Sequence, residues 1–207
     1  MTAGKGGVLV LHAWWGLNDD VRAYARRLAS EGFVIEAPDL YGGRVANDIP
    51  AAEALMKARD KAHALAEIDR AADRLAARGP YAVLGWSMGG SYGWDLIERS
   101  PGAVAALVDH YGGGAPEQGA TLPPILGHYG ELDDDPSPAM VGEFEQRVRD
   151  TGGSPEFHIY PGARHWFAEP SRPQHDAASS ALAWERTLDF LRRSLARERG
   201  GHDHPRE

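Results

Sequence analysis

Short apolar runs alternate with segments of helical periodicity along most of the chain. The runs are rich in aliphatic and β-branched residues, which is typical of strands buried on both faces of a parallel sheet. Strands that alternate with helices predict a mostly parallel central sheet with helices on both faces. The predicted strands lie at 8–11, 33–35, 81–84, 103–108, 124–127 and 156–160.

The segments between these runs carry helix signals. Asn18 is a good N-cap in front of two acidic residues, and Gly32 supplies a stop for the first helix. An Ala-rich segment, 51–78, is predicted to form one long helix or two abutting helices, with an apolar stripe that includes Ala58 and Ala62. Further helices are predicted at 88–99, 140–149 and 175–195, and a loop at 39–50.

A length of 207 residues suits one domain with a substantial core, so we predict a single α/β domain over 1–207. Residues 1–6 and 197–207 are predicted to be flexible termini, and His202 and His204 lie in the second of them. The sequence contains no Cys, which excludes disulfides, thiolate nucleophiles and Cys-ligated metals.

The net charge of −8, without any basic block, argues against nucleic acids and anionic membrane surfaces as partners. The first residues lack the apolar core of a signal peptide, and the apolar run at 8–15 is too short to span a bilayer. We therefore expect a cytoplasmic protein by default. The sequence does not indicate an oligomeric state.

The strongest local motif is Gly85-Trp86-Ser87-Met88-Gly89, which lies between a predicted strand and a predicted helix. It fits the G-x-S-x-G nucleophile elbow. The turn is so tight that a side chain at position 85 or 89 would collide with the neighbouring strand or helix, and the serine itself is strained. The motif indicates a nucleophilic serine at the N-terminus of a helix.

A serine nucleophile needs a base to remove its proton and an acid to orient that base. Ser87, Asp133 and His165 follow the chain order Ser, acid, His that accompanies this elbow, each in a loop after a predicted strand. His12 and Asp109 also follow predicted strands, so they are expected at the same edge of the sheet. Asp109 ends the strand after the elbow helix and is the alternative acid.

The oxyanion of an acyl-transfer reaction needs two preorganised donors. The backbone N–H groups of Met88 and Trp14, in the loops after the third and first strands, are the candidates. No metal or cofactor is implied. Aromatic side chains near the same edge predict an apolar wall for the substrate. These predicted pocket residues are Trp15, Trp86, Tyr111 and Trp166.

Several motifs together resemble the dienelactone hydrolase family of α/β-hydrolases, over nearly the whole chain. The resemblance implies the α/β-hydrolase fold and favours Asp133 over Asp109 as the acid. The matching segments are His12-Ala13-Trp14-Trp15-Gly16-Leu17-Asn18, Ala37-Pro38-Asp39-Leu40-Tyr41, the elbow, 130–133, and Tyr160-Pro161-Gly162-Ala163-Arg164-His165-Trp166-Phe167.

Three positions depart from the family's pattern. The nucleophile is usually Cys, whereas this chain has Ser87, and the family usually has Glu where this chain has Ala13. Both changes together indicate an ordinary serine triad. In the family the Glu carboxylate serves the resting cysteine, and a serine has no thiol that would require it. Glu169 replaces an Arg that helps the dienelactone-cleaving enzymes bind the substrate carboxylate, so we expect it to repel such an anion.

These observations predict a serine hydrolase that cleaves small carboxylic esters through an acyl-enzyme. The expected partner is a small-molecule ester. A lactonase, thioesterase or peptidase with the same triad is the alternative, since one fold hosts many substrates. A non-catalytic binding protein with this fold is a further alternative, of a different class. The loop at 41–50 is a candidate cover for the pocket.

Overall fold

The computed structural model of the chain describes residues 6–114, 116 and 120–200. Strands and helices alternate through this part of the chain. The strands are β1 (Gly7–Leu11), β2 (Val34–Glu36), β3 (Tyr81–Trp86), β4 (Val104–His110), β5 (Ile125–Gly130) and β6 (Pro155–Tyr160). The helices are α1 (Asp19–Ser30), α2 (Ile49–Ala58), α3 (Lys61–Ala76), α4 (Met88–Arg99), α5 (Pro138–Asp150) and α6 (Ala177–Gly200).

The six strands form one parallel sheet in the order β2-β1-β3-β4-β5-β6. The central strands β1 and β3 are buried along their whole length, because helices cover both faces. Parallel pairing places Leu11 beside Gly85, and Gly85 beside Asp109. The carboxyl ends of β1, β3 and β4 therefore meet at one edge, where α/β sheets bind their ligands. The predicted parallel α/β-hydrolase fold is confirmed.

Successive residues along the strands point to opposite faces of the sheet and contribute to two apolar layers, one on each face. Val8 and Leu84 point to the layer that contains Trp184 and Leu191 of α6, together with buried residues of α1. Their neighbours along the strands point to the other layer, which is built with α3 and α4. The helices thus lie on both sides of the sheet, as the pattern predicts.

The Ala-rich segment contains two helices, and the predicted continuous stripe is wrong. Asp60 caps α3 by accepting from the N–H groups of Ala62 and His63, so the helical phase restarts there. Ala58 and Ala62 are exposed as a result. The buried face of α3 consists of Ala64, Ile68, Ala71, Ala72 and Leu75.

Two helix ends also differ from the prediction. Helix α2 begins inside the predicted loop, at Ile49, because Asp48 caps it. Helix α6 extends to Gly200, beyond the predicted end at Leu195 and into the predicted flexible terminus. Most of the predicted flexible termini, including His202 and His204, lies outside the described residues. In the described part of the chain, no helix is both long and apolar enough to cross a membrane.

Candidate active site

The turn between β3 and α4 has the geometry that its glycines predict. Ser87 has φ 50° and ψ −113°, in a region that a non-glycine residue adopts only under strain. A Cβ at Gly85 would collide with the backbone of Gly89, and a Cβ at Gly89 would collide with the carbonyl of Leu11. The turn therefore depends on both glycines, and Ser87 is presented at the edge of the sheet.

Three predicted site residues form one hydrogen-bonded chain. His165 Nε2 lies 3.1 Å from Ser87 Oγ, and His165 Nδ1 lies 2.7 Å from Asp133 Oδ2. The Asp133 side chain is only 2% exposed and the His165 side chain 20% exposed, so the first is shielded and the second reaches the surface of a cleft. This arrangement can move a proton from the serine to the imidazole while the carboxylate holds the Nδ1–H tautomer.

Backbone contacts between two loops bring Asp133 to His165. After β5, Leu132 N donates to Ala163 O at 2.8 Å, which ties the acid loop to the loop that carries the histidine. Gly130 permits this approach, because a Cβ there would lie 2.6 Å from the same carbonyl oxygen. The pairing of β5 with β6 thus continues into the loops and sets the position of the acid.

The acidic run 133–135 separates into one buried and two exposed residues. Asp133 Oδ1 accepts from Asp135 N at 3.0 Å, while its other oxygen faces His165. Asp134 and Asp135 are exposed. Only the first residue of the run therefore has the environment of a residue that orients a base.

Asp109, the alternative acid, is engaged elsewhere. Its carboxylate accepts from Trp94 Nε1 at 2.9 Å, from Gly112 N at 2.9 Å and from the Tyr129 hydroxyl at 3.3 Å. It is fully buried, and burial raises its pKa to about 6. Asp109 supports the loop after β4 and is not hydrogen-bonded to His165.

His12 supports the loop that carries one predicted oxyanion donor. Its Nδ1 donates to Ala13 O at 2.7 Å and its Nε2 accepts from Leu40 N at 3.1 Å. Burial lowers the pKa of His12, which favours the neutral ring that both bonds require. This ring fixes the start of the β1–α1 loop, where Trp14 lies.

Both predicted oxyanion donors belong to residues beside Ser87. Met88 is the first residue of α4, so its N–H has no acceptor within the helix. Trp14 and Met88 line the same cleft as Ser87. The two residues that carry the predicted donors therefore border the cleft that contains the serine.

Two clefts meet at Ser87, with volumes of about 480 and 350 Å³. Trp14, Met56 and Asp135 line both. The larger cleft contains His165, and both polar and apolar side chains line each of the two clefts. The larger cleft is also lined by Leu132, Asp133, Asp134, Arg164, Trp166 and Gln174. The smaller cleft is also lined by Arg59, Met88, Ser91, Tyr111, Gly112, Gly113, Pro136 and Phe144.

Two of the four predicted pocket residues are misplaced. Trp166 and Tyr111 line the clefts as predicted, but Trp15 and Trp86 line neither of them within the described chain. Both are 2% exposed and belong to the core on the α1 and α6 side of the sheet. Trp15 supports the site indirectly, because its ring packs 4.9 Å from that of Trp166.

Cleft residues from the α2–α3 region were missed by the sequence reasoning. The sequence predicts one long helix or two abutting helices over 51–78 without locating the break, whereas α2 ends at Ala58 and Met56 and Arg59 line a cleft together with Ser87. The capping residue Asp60 was the available signal for this break. The predicted cover, the loop at 41–50, instead packs on the β1–α1 loop, where Ala46 N donates to Trp15 O at 2.9 Å.

Glu169 lies away from both clefts, so the expectation that it repels a bound anion is wrong. The chain turns back after Trp166, where Glu169 N donates to Trp166 O at 3.0 Å. The Glu169 side chain is buried and its Oε1 accepts from the Tyr111 hydroxyl at 3.1 Å. The Tyr111 ring packs 4.9 Å from the His165 ring, so Glu169 contacts the site only through Tyr111.

Replacing Glu169 by Gln is expected to stabilise the protein at alkaline pH. Burial raises the pKa of this carboxyl from 4.5 to about 8, so between these values the folded state holds a proton that the unfolded state has released. Stability therefore falls as the pH rises from 4.5 to 8. Gln keeps the shape of the side chain and does not titrate. The free energy of unfolding of the variant should therefore exceed that of the wild type by roughly 3 to 5 kcal/mol at pH 8 and by less than about 1 kcal/mol at pH 5.

Urea denaturation at the two pH values measures this difference in the free energy of unfolding. Glu143→Gln removes an exposed carboxylate from α5 and is the matched control, with no expected pH-dependent gain. If the Glu169→Gln gain were the same at pH 5 and pH 8, Glu169 would not be the buried neutral acid that its surroundings indicate.

No group of three or more metal-ligating side chains is found among the residues that the structure describes. The polar groups at the edge of the sheet are instead the serine, the imidazole and the carboxylate. Their arrangement suits proton transfer and nucleophilic attack.

The chain is similar in sequence to several known proteins. A protein of Escherichia coli O157:H7 named "Putative carboxymethylenebutenolidase" is 28% identical over 206 residues, covering 89% of this chain and 76% of that protein. A Bradyrhizobium protein named "Probable 2-oxo-3-(5-oxofuran-2-ylidene)propanoate lactonase" is 29% identical over 219 residues, covering 93% of this chain and 85% of that protein.

The fold has similar counterparts among solved structures. The crystal structure of a "Putative Dienelactone Hydrolase" from Klebsiella pneumoniae superimposes with a TM-score of 0.77 at 26% identity, covering 92% of this chain and 88% of that one. The model of the dienelactone hydrolase family matches residues 2–195. With nearly the whole sequence matched, the chain belongs to the dienelactone hydrolase family of hydrolases.

Proposed function

We propose that this member of the family is a serine hydrolase that cleaves small carboxylic esters through an acyl-enzyme. The observation that carries the proposal is the hydrogen-bonded chain Ser87–His165–Asp133, with distances of 3.1 and 2.7 Å. A serine hydroxyl is a weak nucleophile unless a base removes its proton, and this chain supplies that base in the right tautomer.

The reaction proceeds in two halves. Ser87 Oγ attacks the ester carbonyl while its proton passes to His165 Nε2, and the amides of Met88 and Trp14 hold the oxyanion. His165 then donates the proton to the leaving alcohol, which leaves an acyl group on Ser87. Water repeats the attack with His165 as base and releases the acid.

The two clefts suggest where the halves of the ester bind. The alcohol must lie within reach of His165 Nε2, which places it in the larger cleft, the one that His165 lines. The acyl group then occupies the smaller cleft, against apolar side chains such as Met88 and Phe144. Short unbranched or aryl acyl groups suit a space of about 350 Å³.

A covalent probe tests the proposal without knowledge of the natural substrate. A serine-directed fluorophosphonate should modify Ser87 at one equivalent per chain, and peptide mass spectrometry should locate the adduct there. The same preparation should hydrolyse p-nitrophenyl butyrate, and the probe should abolish this activity. Absence of labelling at Ser87 in folded protein would favour a non-catalytic binding protein.

Lactone hydrolysis is the second candidate, and the name of the Bradyrhizobium relative favours it. The same nucleophile opens a cyclic ester, and the leaving alkoxide stays attached to the acyl group. Because Glu169 lies outside both clefts, it gives no reason to exclude an anionic lactone. Comparing kcat/KM for a δ-lactone with kcat/KM for an open-chain ester of equal acyl length decides between them.

A further inference from the structure

A separate cavity lies between α1, α6 and the chain that follows the histidine loop. It has a volume of about 290 Å³ and shares none of its described lining residues with the two clefts at Ser87. Three aromatic rings form its walls: Tyr24 packs 4.8 Å from Trp86 and 4.9 Å from Trp184, both edge to face. The rest of the lining is Asp20, Val21, Ala23, Arg27, Ala168, Glu169, Pro170 and Ser180.

Three buried polar atoms of this cavity's residues have no hydrogen-bond partner within the described part of the protein. They are Glu169 Oε2, Trp86 Nε1 and the Tyr24 hydroxyl oxygen. Glu169 and Trp86 are each 2% exposed, so bulk water does not replace the missing partners of these two residues. A buried polar group without a partner costs about 1 to 3 kcal/mol, and folded proteins supply nearly all such groups with one. The unpaired atoms therefore favour a polar group as their partner in this cavity.

The charged groups at the rim are already engaged. Arg27 lies over the Trp184 ring, 3.7 Å from its centroid. Asp20 Oδ2 accepts from the backbone N–H of Ser171 at 3.0 Å and from its hydroxyl at 2.5 Å. Arg27 disfavours a second cation at the entrance, whereas the Asp20 carboxylate disfavours an anion.

The unpartnered atoms select a hydroxyl group, and the Tyr24 hydroxyl, which can both donate and accept, sets no further restriction. Trp86 Nε1 only donates, so its partner must accept, which an ammonium group cannot do. Glu169 Oε2 accepts when the carboxyl is ionised and can donate when it is protonated. A hydroxyl group serves Trp86 and either form of Glu169 at once. The aromatic walls select a flat apolar body, since ring pairs gain from edge-to-face contact.

We propose that this cavity is a second binding site, for a small uncharged aromatic molecule that carries a hydroxyl group. The ring packs against the side chains of Tyr24, Trp86 and Trp184, which already contact one another, and the hydroxyl is proposed to meet Glu169 Oε2 and Trp86 Nε1. The site is independent of ester hydrolysis at Ser87. Its volume, about 290 Å³, accepts a single ring with small substituents.

Phenol is the probe, and the indole N–H signals of ¹⁵N-tryptophan-labelled protein are the readout. Phenol should shift the Trp86 indole signal, assigned with Trp86→Phe, in a saturable way. Toluene, which lacks the hydroxyl, should bind about tenfold more weakly. Benzoate and benzylammonium should leave the signal unchanged. The Trp14 and Trp166 signals report separately on the clefts at Ser87.

Variants at Glu169 test the polar contact. Glu169→Leu should weaken phenol binding about tenfold and leave toluene binding intact, which also shows that the variant is folded. Glu169→Gln keeps an acceptor and a donor, so it should retain phenol binding, and the exposed control Glu143→Leu should have no effect. An unshifted Trp86 signal, or equal affinity for phenol and toluene, would overturn the proposal and leave only ordered water in the cavity.

Discussion

Replacing Ser87 by Ala should lower kcat for p-nitrophenyl butyrate by about a millionfold, by analogy with serine triads in other hydrolases. The substitution removes the atom that lies 3.1 Å from His165 Nε2, so neither the attack nor the proton transfer can take place. The amides of Met88 and Trp14, which we propose as the oxyanion donors, stay in place. A residual rate about 10³ to 10⁴ above the uncatalysed reaction is therefore expected.

The matched control for this prediction is Ser30→Ala. Ser30 is exposed at the end of α1, and its hydroxyl donates only to Arg27 O, at 2.7 Å. This variant should keep the wild-type kcat, and Ser87→Ala should keep a thermal midpoint close to that of the wild type. A folded Ser87→Ala protein with most of its activity would rule out Ser87 as the nucleophile.

The fold was predictable because its signals are local. Each of the six strands is a short apolar run, and alternation with helices suffices to predict a parallel sheet. The helix break at Arg59 and Asp60 was less visible, because the apolar residues of α2 and α3 resemble one continuous stripe. The capping bonds of Asp60, which only the structure shows, decide where α3 begins.

The site was predictable as far as it depends on strand ends. Ser87 and His165 follow β3 and β6, and parallel strands bring such residues to one edge. The choice between Asp109 and Asp133 was not accessible from residue spacing. It depends on the bond between Leu132 N and Ala163 O, which joins loops that are 31 positions apart in the chain.

The directions of side chains were the hardest to predict. Glu169 occupies a position that matches a substrate-binding residue of the family, yet the turn at Trp166 buries its side chain against Tyr111. Trp86 is adjacent to the nucleophile in sequence, but a strand sends successive side chains to opposite faces. Glu169 and Trp86 are therefore close in sequence to functional residues, but neither side chain lines the clefts at Ser87.

Replacing Asp133 by Asn should lower kcat about 10⁴-fold, the loss known for the same change in another serine triad. Asp133 Oδ2 accepts from His165 Nδ1 at 2.7 Å and thereby keeps the proton on that nitrogen. The amide of Asn can donate to Nδ1 instead, which moves the ring proton to Nε2. His165 then faces Ser87 with a donor and cannot accept the serine proton.

Asp109→Asn is the comparison that separates the two candidate acids. Asp109 receives three hydrogen bonds inside the fold and none from His165. Replacing its carboxylate by the amide of Asn should therefore lower the thermal midpoint of unfolding. The kcat of the folded variant should fall less than about tenfold, since the base keeps its partner. Asp150→Asn, an exposed change on α5, should alter neither quantity. The opposite result, a large loss of kcat for Asp109→Asn and a small one for Asp133→Asn, would assign the acid to β4, because only the residue that holds the Nδ1 proton controls the base.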